Sequence, residues 1–187
     1  VSIAQRTVSK PVSLSRRALF QGRITTPDAP AVRPPWSLDE AQFLDICTTC
    51  DKCVFACEDG ILKRGAGGYP EVDFQNGECT FCGACAAVCA PNAIFMHDTE
   101  NTGAVLPWTL EARIGSGCLS TNGVMCRVCG DRCDMRAIRF QLAVGGIANP
   151  IIDQTSCTGC GACVRPCPVG AVEVVQIQEQ VQLEEQS

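Results

Sequence analysis

The chain has 187 residues, sixteen of them cysteine; aromatic residues make up only 5% and the formal net charge is −5. Thiols in that number demand disulfides, zinc or iron–sulfur clusters, and so few rings exclude a large conventional core, leaving bound inorganic matter to fill much of the interior. An acidic body argues against a nucleic-acid role, which needs a basic patch, and no apolar run approaches transmembrane length, so no membrane insertion is expected.

Residues 1–34 run against the overall charge. Arg6, Lys10, Arg16, Arg17, Arg23 and Arg33 stand against Asp28, a net of +5. Arg16-Arg17 followed by Leu19-Phe20 has the look of a twin-arginine export signal, yet the next stretch, QGRITTPDAPAVRPP, is polar and proline-rich where a signal needs an apolar segment. The expectation is a basic flexible arm that docks on a partner, on a chain that stays in the cytoplasm, where disulfides are rare. Beyond it, Ser37 and Glu40 spell a capping box, which predicts a helix over 38–46 that delivers the first cysteine, Cys47.

Cys47, Cys50, Cys53 and Cys57 follow C-x2-C-x2-C-x3-C spacing, and Cys79, Cys82, Cys85 and Cys89 repeat it, as do Cys157, Cys160, Cys163 and Cys167. The remaining four, Cys118, Cys126, Cys129 and Cys133, keep the pattern with the first gap stretched from two residues to seven, so no cysteine is left over. Three thiolates two residues apart lie on a tight loop that wraps one corner of a cubane, and in two-cluster ferredoxins the fourth cysteine reaches the neighbouring cluster. Zinc is the alternative, but its structural sites take two C-x2-C pairs, often mixed with histidine. The one histidine, His97, lies outside every group. The pattern therefore points to four [4Fe–4S] clusters with all sixteen cysteines as iron ligands.

An internal duplication orders the groups. PEVDFQNGECTFCGACAAVCAPNAI (70–94) aligns with PIIDQTSCTGCGACVRPCPVGAV (150–172), both running P-x-[VI]-D and then C-T-x-C-G-A-C. The first and third groups match at their last three cysteines, and the five-residue shift at the first is the size of the insertion. Five residues after each final cysteine stands an apolar residue, Leu62, Ile94, Ile138 or Val172, with AIFM, AIRFQLA and AVEVVQI reading as strands. The expected fold is α+β, two tandem two-cluster ferredoxin units. Unit one spans 35–98, a connection 99–113, unit two 114–176 and an acidic tail 177–187; a nested pairing of group one with four and two with three is the alternative. The stretched gap implies a floppier loop, whose ordering costs entropy, and Arg127, Arg132, Arg136 and Arg139 outnumber Asp131 and Asp134 around it. That site is expected to be lost first in air and to have the highest potential of the four.

RRALFQGRI, RPPWSLDEAQFLDICTTCDKCVFACEDGILKRGAGGYPEVDFQNGECTFCGACAAVC and the late CTGCGACVRPCP closely resemble the NapF-type ferredoxin-like proteins of periplasmic nitrate reductase systems. The resemblance covers nearly the whole chain, and the RPPWS-DE and LKRGAGGYP stretches are what single out that family. It implies a cytoplasmic accessory protein that acts on the molybdenum-containing catalytic subunit of the nitrate reductase before export, assisting assembly of that subunit's cluster or its redox maintenance. It also supports Arg16 and Arg17 as partner-binding residues. The alternative is an electron-transfer ferredoxin or an electron-relay subunit of a larger redox complex. With no nucleotide-binding glycine motif and no histidine-based constellation, the chain is not expected to be an enzyme.

Overall fold

The computed structural model describes residues 31–96, 107–142 and 147–177. Arg16, Arg17, His97 and most of the acidic tail lie outside the described residues. All those described belong to one unit that begins at Ala31.

Helix α1, Glu40–Ile46, is too short to stand alone and is held by its single buried residue, Phe43. Its cap is Asp39, whose carboxylate accepts from the Gln42 N–H, so the expected Ser37–Glu40 box does not form. The Ser37 hydroxyl is instead buried without a partner, and Glu40 binds Arg33 through two short bonds of 2.7 and 2.9 Å. Arg33 also donates to the Pro70 carbonyl and stacks 5.2 Å from the Phe43 ring centre and 5.6 Å from that of Tyr69. By charge Arg33 belongs with the basic arm; the structure makes it a brace of the body.

The chain then runs through α2 (Lys52–Ala56), β1 (Leu62–Arg64), β2 (Pro70–Val72) and α3 (Ala84–Ala87). β1 and β2 pair antiparallel, Leu62 opposite Val72, across the glycine-rich turn of Gly65–Gly68. The AIFM strand reduces to one bridge, Ser37 to Ile94, which closes the ends of this half on one another. The second half repeats the nesting with longer strands. β3 (Leu110–Ile114) pairs antiparallel with β6 (Val172–Gln176), and β4 (Ile138–Leu142) pairs with β5 (Ala148–Ile152), with helix α4 (Val128–Asp131) between β3 and β4. β3 starts inside the stretch expected to be connection, because its partner for Leu110 is Gln176, far along the chain.

The duplicated P-x-[VI]-D segment performs one task twice. Asp73 and Asp153 each donate a backbone N–H to the strand opposite, at Ile61 and Ala137, and each carboxylate accepts from the N–H two residues on. The positions read as apolar after each final cysteine form the core: Leu62, Ile94, Ile138 and Val172 are all buried, together with Ile61, Ala93 and Ala137 just before three of them. Among the described residues no helix is long and apolar enough to cross a membrane.

Candidate metal centres

Each intact cysteine loop is shaped by two residues in the left-handed region, flanking its second cysteine. They are Thr49 and Asp51, Phe81 and Gly83, and Gly159 and Gly161. These bends curl three cysteines around a common point. After the fourth cysteine all four groups make the same turn: the N–H of Gly60, Asn92, Arg136 or Gly170 donates to the carbonyl of Cys57, Cys89, Cys133 or Cys167, and each of those donors has positive φ. The stretched group shares this exit turn but not the loop bends.

Three recesses show how the groups combine. Site 1 is ringed by Cys47, Cys50 and Cys53 with Cys89 of the second group. Site 2 gathers Cys79, Cys82 and Cys85 with Cys57 of the first. Site 4 gathers Cys157, Cys160 and Cys163 with Cys133 of the stretched group. Each recess thus takes three cysteines from one motif and the fourth from its neighbour. In the stretched group Cys118 and Cys126 lie close enough to Cys129 to add to the rise of its thiol pKa. Cys167, which lines none of these three recesses, accepts a 3.2 Å hydrogen bond from the Ala171 N–H, matching the Ile94 N–H to Cys89 bond of 3.4 Å.

Five of the sulfurs sit where a lone thiolate would be costly, whereas Cys50 is exposed and its thiol pKa is lowered, first by the hydrogen bond from the Lys52 N–H. Burial pushes the thiols of Cys53, Cys85 and Cys129 up to about 11 and those of Cys79 and Cys163 to about 12, neighbouring cysteines adding to the effect. The walls are apolar, Ala93 and Ile94 at site 1, Ile61 and Leu62 at site 2, Ala137 and Ile138 at site 4. Four thiols around an apolar recess fit a cubane, whose irons would compensate the thiolate charge.

The stretched loop differs from the expected loose tether. Asn122 ties it together, its side chain donating to the carbonyls of Ser116 and Cys118 at 2.7 and 2.8 Å and its N–H to that of Cys118. The buried Ser120 hydroxyl donates to Ala148 on β5. Those bonds offset the entropy expected to weaken the site. Arg127 packs 5.1 Å from the centre of the Phe140 ring, while Val124 and Met125 stand exposed beside Cys126.

Comparison with known proteins agrees with this chemistry. The family described as "4Fe-4S dicluster domain" matches residues 46–104, and "4Fe-4S binding domain" matches 150–173. The chain is 46% identical over 161 residues to the ferredoxin-type protein NapF of Escherichia coli K12, covering 86% of this chain and 94% of that one. It is 38% identical over 176 residues to NapF of Haemophilus influenzae, covering 89% and 97%. A methylamine utilization ferredoxin-type protein, MauM of Paracoccus denitrificans, is 31% identical over 162 residues, 76% of this chain and 69% of that one. With cysteines gathered as a ferredoxin gathers them and near-complete coverage of its relatives, this iron–sulfur protein belongs to the NapF family of ferredoxin-type proteins.

Proposed function

We propose that the protein holds four [4Fe–4S] clusters on sixteen cysteines, in two tandem two-cluster units, each cluster taking three ligands from one motif and the fourth from its partner. Site 3 then comprises Cys118, Cys126, Cys129 and Cys167. The observation that carries this reading is the crossing of the fourth cysteine, Cys57, Cys89 or Cys133, into the neighbouring motif's recess. It favours pairing groups one with two and three with four over the nested alternative. The clusters supply one-electron chemistry; the chain's own residues hold them, wall them off from water and donate the amide hydrogen bonds to Cys89 and Cys167.

The function proposed on that basis is that of a cytoplasmic accessory protein, not an enzyme, which assists maturation of the catalytic molybdenum subunit of periplasmic nitrate reductase before its export. Similarity to NapF over nearly the whole chain supports it. Arg16 and Arg17 in the basic segment 1–34 are the proposed contact with the precursor. The test is capture of the precursor subunit by the full chain, loaded and unloaded. Binding that needs Arg16 and Arg17, weakens with salt as exposed charges are screened and is lost by the exported subunit supports the reading; equal capture of precursor and exported subunit overturns it. The second reading, an electron relay, is favoured by the same crossing cysteines, which set the recesses of neighbouring motifs side by side.

A further inference from the structure

Sites 2 and 4 come from different halves of the chain, yet the backbone joins them. The Cys79 N–H donates to the Cys160 carbonyl at 2.8 Å, so one hydrogen bond links a cysteine of the site 2 triplet to one of the site 4 triplet. Aromatic packing joins the same two loops beside it. The Trp108 ring stands edge-on to Phe81 and Phe74, with centres 5.5 and 5.9 Å apart, and its Nε1–H donates to the Thr158 carbonyl at 2.8 Å. Phe81 lies between Cys79 and Cys82, and Thr158 between Cys157 and Cys160, so a single indole touches both cysteine loops. The same repeat position is phenylalanine in one loop and glycine in the other. Gly159 is buried, and a Cβ there would come within 2.7 Å of the Leu110 carbonyl oxygen.

We propose that the Cys79–Cys160 hydrogen bond, beside the Trp108 contacts to both loops, is the electronic junction between the two halves, and that it joins the four sites into one line ordered 1, 2, 4, 3. The proposal rests on the sixteen-cysteine assignment above. The path runs from the Cys79 sulfur through its Cβ, Cα and N–H, across one hydrogen bond, and through the carbonyl, Cα and Cβ of Cys160 to its sulfur. One electron moves at a time: one site is oxidised by one unit as the other is reduced by one. No covalent bond forms or breaks, and no outside oxidant or reductant is consumed. Within each half the crossing cysteines complete the line: Cys57 and Cys89 join the recesses of sites 1 and 2, and Cys133 joins the stretched motif to site 4. The spatial order therefore departs from chain order, and the stretched site 3 stands at the end opposite site 1.

The test is EPR of the fully reduced, anaerobically reconstituted full chain. One variant removes sites 1 and 3 (Cys47→Ala, Cys50→Ala, Cys118→Ala, Cys126→Ala); its reciprocal removes sites 2 and 4 (Cys79→Ala, Cys82→Ala, Cys157→Ala, Cys160→Ala). Iron near eight per chain in each checks the cysteine assignment separately. With that iron present, the first variant is expected to give a split, fast-relaxing spectrum of two coupled spins, and the reciprocal two uncoupled signals. Uncoupled signals in the first variant overturn the junction. Where the alanine chains fail to load, serine at the same positions keeps an oxygen ligand and lowers those sites' potentials, so that sites 2 and 4 are reduced first and the same reading is taken. Adding Trp108→Leu to the first variant is expected to weaken the coupling at constant iron; unchanged coupling removes the indole from the junction.

Discussion

Gly159 and Gly60 share a backbone conformation, φ +69° and +66°, but not a neighbourhood. An alanine at Gly60 meets nothing within 4 Å, whereas at Gly159 its Cβ falls 2.7 Å from both the Cβ and the carbonyl oxygen of Leu110. Both substitutions carry the left-handed penalty of a β-carbon, about 1–2 kcal/mol. Only Gly159→Ala adds the overlap, which forces the site 4 loop away from β3 at about 1–3 kcal/mol by the usual cost of overpacking. Cluster-bearing chains do not unfold in two states, so the comparison is one of rates: loss of visible absorbance in denaturant under anaerobic conditions. If the loop opens before the cluster leaves, the difference corresponds to about 5- to 150-fold faster loss from Gly159→Ala than from Gly60→Ala. Gly170→Ala, at φ +60° with open space around it, is expected to behave like Gly60→Ala. Equal rates for all three would refute the claim that close approach of the site 4 loop to β3 holds that region.

Three further outcomes follow from single residues. Asp39→Ala, which loses the α1 cap at a cost of about 1 kcal/mol, is expected to speed cluster loss about 5-fold, while Ser37→Ala, which removes a buried hydroxyl without a partner, leaves it unchanged or slower; the same anaerobic absorbance assay compares them. Arg136 holds the shared exit turn at φ +51° where two of the other groups use glycine, so Arg136→Gly is expected to stabilise by about 1 kcal/mol on the same assay. The hydrogen bond from Arg33 holds the Glu40 carboxyl below its ordinary value; the contribution is complete above the ordinary glutamate pKa and is lost as pH falls through the lowered one. A stability profile against pH should therefore show an acid limb that Arg33→Gln diminishes.

What the sequence carried openly was chemistry at fixed spacing: the cysteine groups, the twice-used Asp73 and Asp153, and the apolar residues after each group. These are local patterns, and local geometry enforces them. The strand Leu110–Ile114 was missed because its pairing with Val172–Gln176 leaves no local mark beyond a short apolar–charged alternation. The choice of Asp39 over Ser37 as cap turns on a two-residue difference in where the helix begins, with either side chain chemically able. Trp108 was read as part of a connection, since nothing in its neighbours shows that Phe81 and Thr158 meet around it. The stretched loop was read as loose from its length alone. Its order comes from Asn122, and from Ser120 reaching β5.

The crossing of the fourth cysteine is the claim on which the sites, the tandem units and the junction all depend, and native mass spectrometry of the reconstituted chain tests it most directly. In a chain already lacking Cys47, Cys50 and Cys53, about three clusters should remain, because Cys57 serves site 2. Adding Cys57→Ala is then predicted to empty site 2 or leave it a three-iron form. Three intact clusters that persist without Cys57 would contradict the account, since each motif would then bind its own.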